Sequence, residues 1–127
     1  MFMPDSYKID ILGDICIRKF FGEIHLDTIQ YSWFEVLALN SPDMYKGFLT
    51  DFSSAKVIIT KYDLDDILLF YKSKEDYLFF KKNAVISLQP SLIAFTTLLK
   101  MDLKRIDIRY YLKPFSTYNA AFYWLLK

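Results

Sequence analysis

The chain has 127 residues, of which 54% are hydrophobic, 24% charged and 19% aromatic, with a formal net charge of +1. That hydrophobic share excludes intrinsic disorder, and the balanced charge excludes a strong overall field toward nucleic acid or an anionic membrane. A chain of this size buries about two-thirds of its unfolded surface without disulfides, so residues 1–127 are expected to form a single globular domain.

Ile9 and Ile11, then Ile15 and Ile17, alternate with polar neighbours around Gly13-Asp14. This reads as a strand pair, or as one strand with a bulge at the glycine. Gly22 marks a turn, and Ile24, Leu26 and Thr28 alternate as a further half-buried strand. Residues 31–39 are nearly all apolar and fit a buried strand or a short helix. Ser41-Pro42-Asp43 has the cap, the first-turn proline and the acid of a helix start. Tyr45, Phe48, Leu49 and Phe52 follow it at helical spacing. Val57-Ile58-Ile59 is β-branched and predicts a strand. Asp63 then opens a helix whose stripe is Leu64, Ile67, Leu68 and Tyr71. Residues 75–82 fit either a helix or a strand, and residues 84–88 a strand. Pro90-Ser91 opens a helix to about Met101, with Leu92, Phe95 and Leu99 on one face. Residues 105–112 alternate as a strand that Pro114 breaks, and residues 117–126 predict a helix apolar on nearly every side.

Strands come first and are followed by mixed strands and helices. The expected class is α+β: a single small domain with a mixed, mostly antiparallel sheet and about three to four helices.

The 12 Phe, 10 Tyr and 2 Trp are about twice the usual aromatic share. They cluster as Phe20-Phe21, Trp33-Phe34, Phe70-Tyr71, Phe79-Phe80, Tyr110-Tyr111 and Phe122-Tyr123-Trp124. Adjacent residues leave a strand on opposite faces, and leave a helix about 100° apart. A doublet therefore cannot serve one buried face alone. A codon bias toward Phe and Tyr accounts for part of the excess but not for the pairing. Rings with no place in the core favour a partner-binding or homodimer surface.

Cys16 is the only cysteine, which rules out an internal disulfide and a multi-cysteine metal site. Met1-Phe2-Met3-Pro4-Asp5 lacks the basic and apolar regions of a signal peptide. The longest uncharged run, Asn83–Leu99, is broken by Gln89-Pro90-Ser91 and too short to span a bilayer. A cytoplasmic protein without a transmembrane segment is expected.

Chemistry-bearing groups are few. Cys16 and His25 suggest a nucleophile pair, although Cys16 between two isoleucines fits inert core filling. Gly13-Asp14 lacks the further glycines of a phosphate-binding loop. Asp63, Asp65 and Asp66 fit a helix N-terminus better than a metal site. No cofactor is expected. Lys100, Lys104, Arg105, Arg109 and Lys113, with Tyr110 and Tyr111 among them, interleave cations with aromatics in the manner of single-stranded nucleic-acid binders. The leading expectation is a non-catalytic inhibitor or immunity-type protein that binds a toxin or effector. Asp10, Asp14, Glu23, Asp27, Phe70, Tyr123 and Trp124 are its candidate contacts. The alternatives are a nucleic-acid module using the basic stretch and a small enzyme using Cys16 and His25.

Overall fold

A computed structural model describes residues 6–39, 45–60, 62–78 and 80–127. Five strands, β1 (Tyr7–Leu12), β2 (Ile15–Ile24), β3 (Gly47–Val57), β4 (Lys82–Ile86) and β5 (Tyr111–Phe115), form one sheet in that spatial order. The helices among the described residues are α1 (Leu26–Leu39), α2 (Asp63–Ser73), α3 (Glu75–Leu78), α4 (Pro90–Arg105) and α5 (Tyr118–Leu125).

The strand pair around Gly13 is a hairpin, with Gly13 at a φ of 60° in the left-handed region that glycine tolerates. It is the one antiparallel pairing among the described residues. β2 with β3, β3 with β4, and β4 with β5 are all parallel. The sheet is therefore mixed but mostly parallel, not mostly antiparallel, and five helices accompany it rather than three or four. Parallel neighbours cannot be joined by a tight turn and need a crossover. The segments from Leu26, from Asp63 and from Pro90 supply those crossovers as helices. Each step moves to the next strand in the same direction, so right-handed crossovers all fall on one face. The larger core lies there. It joins Cys16, Phe20, Phe48, Phe52, Val85 and Leu112 of the strands to Trp33 of α1, Tyr71 of α2 and Leu99 of α4. α5 covers the other face, where Ala121 and Leu125 meet Ile15, Leu49, Ala84 and Ile86. Gly47 admits this contact: a β-carbon there would lie 3.1 Å from Leu125 Cδ2 and 3.1 Å from the Lys82 carbonyl.

Three expectations are corrected. The strand predicted at Ile24–Thr28 ends at Ile24, and α1 begins at Leu26. Where a helix was predicted through Phe52, Gly47–Val57 is the central strand β3; residues 41–44 lie outside the described set. Every residue from Gly47 to Phe52 is buried, because α5 and the crossover helices cover both faces, so the alternation that marks a half-buried strand is absent. The strand predicted at 105–112 begins only at Tyr111, after α4 has run to Arg105, and it includes Pro114. Proline is tolerated there because β5 is an edge strand, paired among the described residues only with β4. No helix among the described residues is long and apolar enough to cross a membrane.

Candidate functional site

The aromatic doublets divide between interior and surface. Phe20, Trp33, Tyr71 and Tyr110 are buried, whereas Phe21, Phe34 and Tyr111 are exposed and Phe70 is half-buried. Phe79 lies outside the described residues. On α1 and α2 the outward rings meet. Phe34, 52% exposed, packs edge-to-face on Phe70 with centroids 5.6 Å apart. Lys74 Nζ stands 5.2 Å from the Phe34 ring centroid. Tyr31 is exposed one turn earlier on α1, on the same helical face as Phe34. Tyr123 and Trp124 belong to α5, on the opposite side of the sheet; Tyr123 is 72% exposed, and Trp124 packs on Phe115 at 5.6 Å. Phe70 therefore shares no surface with Tyr123 and Trp124.

The four acidic candidates also divide. Asp14 sits in the β1–β2 turn and pairs with Lys46 at 3.5 Å. Asp10 on β1 pairs with Lys8 at 3.8 Å. Glu23 lies at the far end of β2, about 30 Å from Asp14 at the rise of an extended strand, and Asp27 follows it in the first turn of α1. Glu23 contacts His25 at 3.4 Å, and Asp27 Oδ1 accepts the Thr28 amide at 2.8 Å.

The same separation parts Cys16 from His25. Cys16 is buried at the start of β2, and burial pushes its thiol up to about 11. His25 is exposed beyond the strand's other end. At the start of α2, Asp63 Oδ2 accepts the Thr60 amide at 2.8 Å, and Asp65 and Asp66 face solvent.

The basic stretch is brought together, with substitutions in its membership. A groove of about 590 Å³ along the β5 edge is lined by Lys82, Lys100, Lys104, Arg109 and Lys113, with Tyr111 and Trp124 as its aromatic walls. Asp107 is the one acid in its lining and pairs with Arg109 at 3.9 Å. Tyr110 is not a surface ring: it is buried against Tyr71 and Trp33. Tyr111, 45% exposed, takes the outward position. Arg105 pairs with Asp102 on α4 at 3.5 Å and does not line the groove.

A polar cluster lies inside the larger core. Arg18 on β2 is 1% exposed. It donates to Ser32 Oγ at 2.7 Å and to Thr50 Oγ1 at 2.8 Å, and its guanidinium carbon lies 3.8 Å from the Trp33 ring centroid. Thr50 in turn donates to Asn83 Oδ1 at 2.8 Å. Burial lowers the Arg18 pKa, and nearby Tyr71 and Tyr110 oppose that shift. Arg18 Nε, Trp33 Nε1 and the Tyr110 hydroxyl have no hydrogen-bond partner among the described residues. Arg18, Thr50 and Asn83 also reach an apolar cleft between the sheet and α2 and α4.

Three crossover helices on one face and a lone terminal helix on the other match a known arrangement. A crystal structure of an uncharacterized DUF3478-family protein from Shewanella loihica PV-4, described as SpoIIAA-like in fold, superposes with a TM-score of 0.57. The match covers 94% of this chain and 92% of that one at 16% identity. The anti-sigma factor antagonist SpoIIAA, in its unphosphorylated form, superposes with a TM-score of 0.57 over 95% of this chain and 98% of that one, at 8% identity. The fold is SpoIIAA-like. No protein-family model matches the sequence, and no curated protein matches it. In this SpoIIAA-like frame Lys82 and Arg18 are the residues that sequence reasoning missed. Lys82 joins the basic groove only because β4 pairs with β5, setting it opposite Tyr111. Arg18 looks like the polar half of a strand alternation, and no local signal shows that its face is the buried one.

Proposed function

We propose that this chain is a small non-catalytic module that acts by binding another protein in the cytoplasm. The observation that carries the reading is the aromatic surface across α1 and α2, where Tyr31, Phe34 and Phe70 turn outward although the core beneath them is already filled by Trp33 and Tyr71. Exposed aromatics grouped on one face favour recognition, because large rings bury much area at low entropic cost. The shared fold with a protein described as an anti-sigma factor antagonist supports the same class. In the finer form of this reading the partner is a toxin or effector that the chain neutralises. The acidic candidates are too dispersed along the β1–β2 hairpin and the start of α1 to form one docking face, so the partner is expected to be held mainly through the aromatic patch.

Affinity capture from cells, followed by titration of the purified partner, tests the reading. Truncating a ring buried at an interface costs about 2–3 kcal/mol, so Phe34→Ala is expected to weaken binding at least tenfold. A partner bound equally well by the parent and by Phe34→Ala would remove the α1–α2 surface from the proposal.

The basic groove favours a second reading, a site for single-stranded nucleic acid. Five cations and two aromatic walls in one groove fit phosphate contact with base stacking. Retention on heparin that falls steeply with salt, and is reduced by Arg109→Ala and Lys113→Ala together, is expected on this reading. Passage through heparin without retention would end it.

A further inference from the structure

We propose that the apolar cleft between the sheet and helices α2 and α4 binds a slender monocarboxylic acid, its carboxylate on Arg18 and its hydrocarbon body between the helices. Leu26, Ile59, Ile67, Val85, Leu92 and Phe95 supply apolar walls. Arg18, Thr50 and Asn83 are fully buried and form the inner end, whereas Leu26, Ile59 and Phe95 are only partly buried and form the open end.

Arg18 has no carboxylate partner among the described residues. Its counterparts are two hydroxyls, the Ile29 carbonyl at 3.5 Å and the Trp33 ring, and its Nε is unpaired. Removing a cation from water costs several kcal/mol, and neutral partners return only part of it. The hydroxyls do not need the arginine. Ser32 Oγ donates to the Ile29 carbonyl at 2.7 Å, and Thr50 Oγ1 donates to Asn83, so both stay bonded without it. A buried, under-partnered guanidinium at the inner end of an apolar cleft is complementary to a carboxylate, which it holds through charge-assisted hydrogen bonds.

The cleft also limits the shape of the body attached to the acid group. Its cavity volume is about 50 Å³, against about 590 Å³ for the groove along β5. So small a space suits an unbranched chain rather than a ring system. Asp63 stands among the lining residues at the N-terminus of α2, partly exposed. Its carboxylate repels a second negative charge at the outer end and selects a monoacid over a diacid.

Octanoate is the probe. Titrated into the protein and followed by amide chemical shifts, it is expected to give saturable changes at Thr50, Asn83 and Leu92. Octanol, which lacks the charge, is expected to bind about tenfold or more weakly. Arg18→Met is expected to lose octanoate to the same degree while unfolding in urea at the parent's midpoint or above it. Ile59→Glu, at the partly exposed mouth, is expected to fold as the parent and to bind octanoate about tenfold or more weakly, which keeps the test intact if Arg18→Met does not fold. Three results would overturn the proposal: no saturable shift at millimolar octanoate, octanol binding as tightly as octanoate, or shifts confined to the β5 groove.

Discussion

Asp51 lies on β3, on the face that α5 covers, and is 0% exposed. Its Oδ1 accepts the Ser53 amide at 2.8 Å, and its Oδ2 accepts the Tyr118 hydroxyl. The first bond falls where β2 and β3 slip register, between Lys19 and Phe21, so the carboxylate serves an amide displaced from the regular ladder. The second fastens the start of α5 to the sheet. Asp51→Ala leaves the Ser53 amide and the Tyr118 hydroxyl, both in partly buried bonds, without their acceptor. It is expected to lower the unfolding free energy by about 1–3 kcal/mol in a urea titration, and Asp51→Asn, which keeps an acceptor, by less. Equal stability of parent and Asp51→Ala would show that water replaces both bonds. Arg18 has the opposite character: its hydroxyl neighbours are satisfied without it, so its burial costs stability where that of Asp51 supplies it.

At the scale of elements, legibility follows how local the signals are. α2, α4 and α5 were readable because an apolar stripe, a first-turn proline or a capping residue lies within each segment's own sequence. Thr117 Oγ1 accepts the Ala120 amide at 3.3 Å at the start of α5. Thr117→Ala is expected to cost about 1 kcal/mol, seen as a lower thermal midpoint and as faster exchange of the first amides of α5. Exchange unchanged in that turn would mean that packing on Leu49 and Ala84 alone holds the helix. β3 was not readable, because an element buried on both faces carries no period, and Tyr45, Phe48, Leu49 and Phe52 fit a helical stripe as well as a strand. β5 was misplaced for a related reason. Ile106 and Ile108 alternate like a strand, but Ile106 ends α4 and Asp107 takes a φ of 60°.

For the whole molecule, the buried titratable groups set the response to alkali. Burial, and then the Glu35 carboxylate that Tyr7 donates to at 2.9 Å, raises the Tyr7 pKa. Burial followed by the bond to Asp51 does the same for Tyr118. Desolvation raises Tyr71 and Tyr110, and pushes Cys16 up to about 11. Each group keeps its proton to higher pH in the folded state than in the unfolded chain. The stabilisation they share is complete below their unfolded values, about 8.5 for cysteine and about 10 for tyrosine, and is lost as pH rises through the folded ones. Unfolding free energy is expected to fall by about 1.4 kcal/mol per pH unit for each of Cys16, Tyr7, Tyr71 and Tyr110 within its window, and by less for Tyr118, which is 37% exposed and screened by water. The fall begins near pH 9 with Cys16, and Cys16→Ala is expected to delay its onset toward the tyrosine range. Urea titrations from neutral pH upward measure it, and a stability that stays flat into that range would contradict the burial of these side chains.

Composition and pattern alone fix the class of object: a mixed α+β chain with an ample aromatic core, three well-marked helices, a turn or bulge at Gly13 and a surplus of rings beyond what one face needs. Composition, capping and short-range periodicity carry that information, because each acts within a few residues. Tertiary structure decided the rest. It set which strands pair and in which direction, and so made the sheet mostly parallel. It set which half of each doublet turns inward, burying Tyr110 and exposing Tyr111. It also parted Cys16 from His25 along the length of β2, gathered Lys82 with Lys100 and Lys113 at one edge, and closed the core around Arg18. These outcomes depend on contacts between residues far apart in the chain, where a shift of one position along a strand exchanges its buried face for its exposed one.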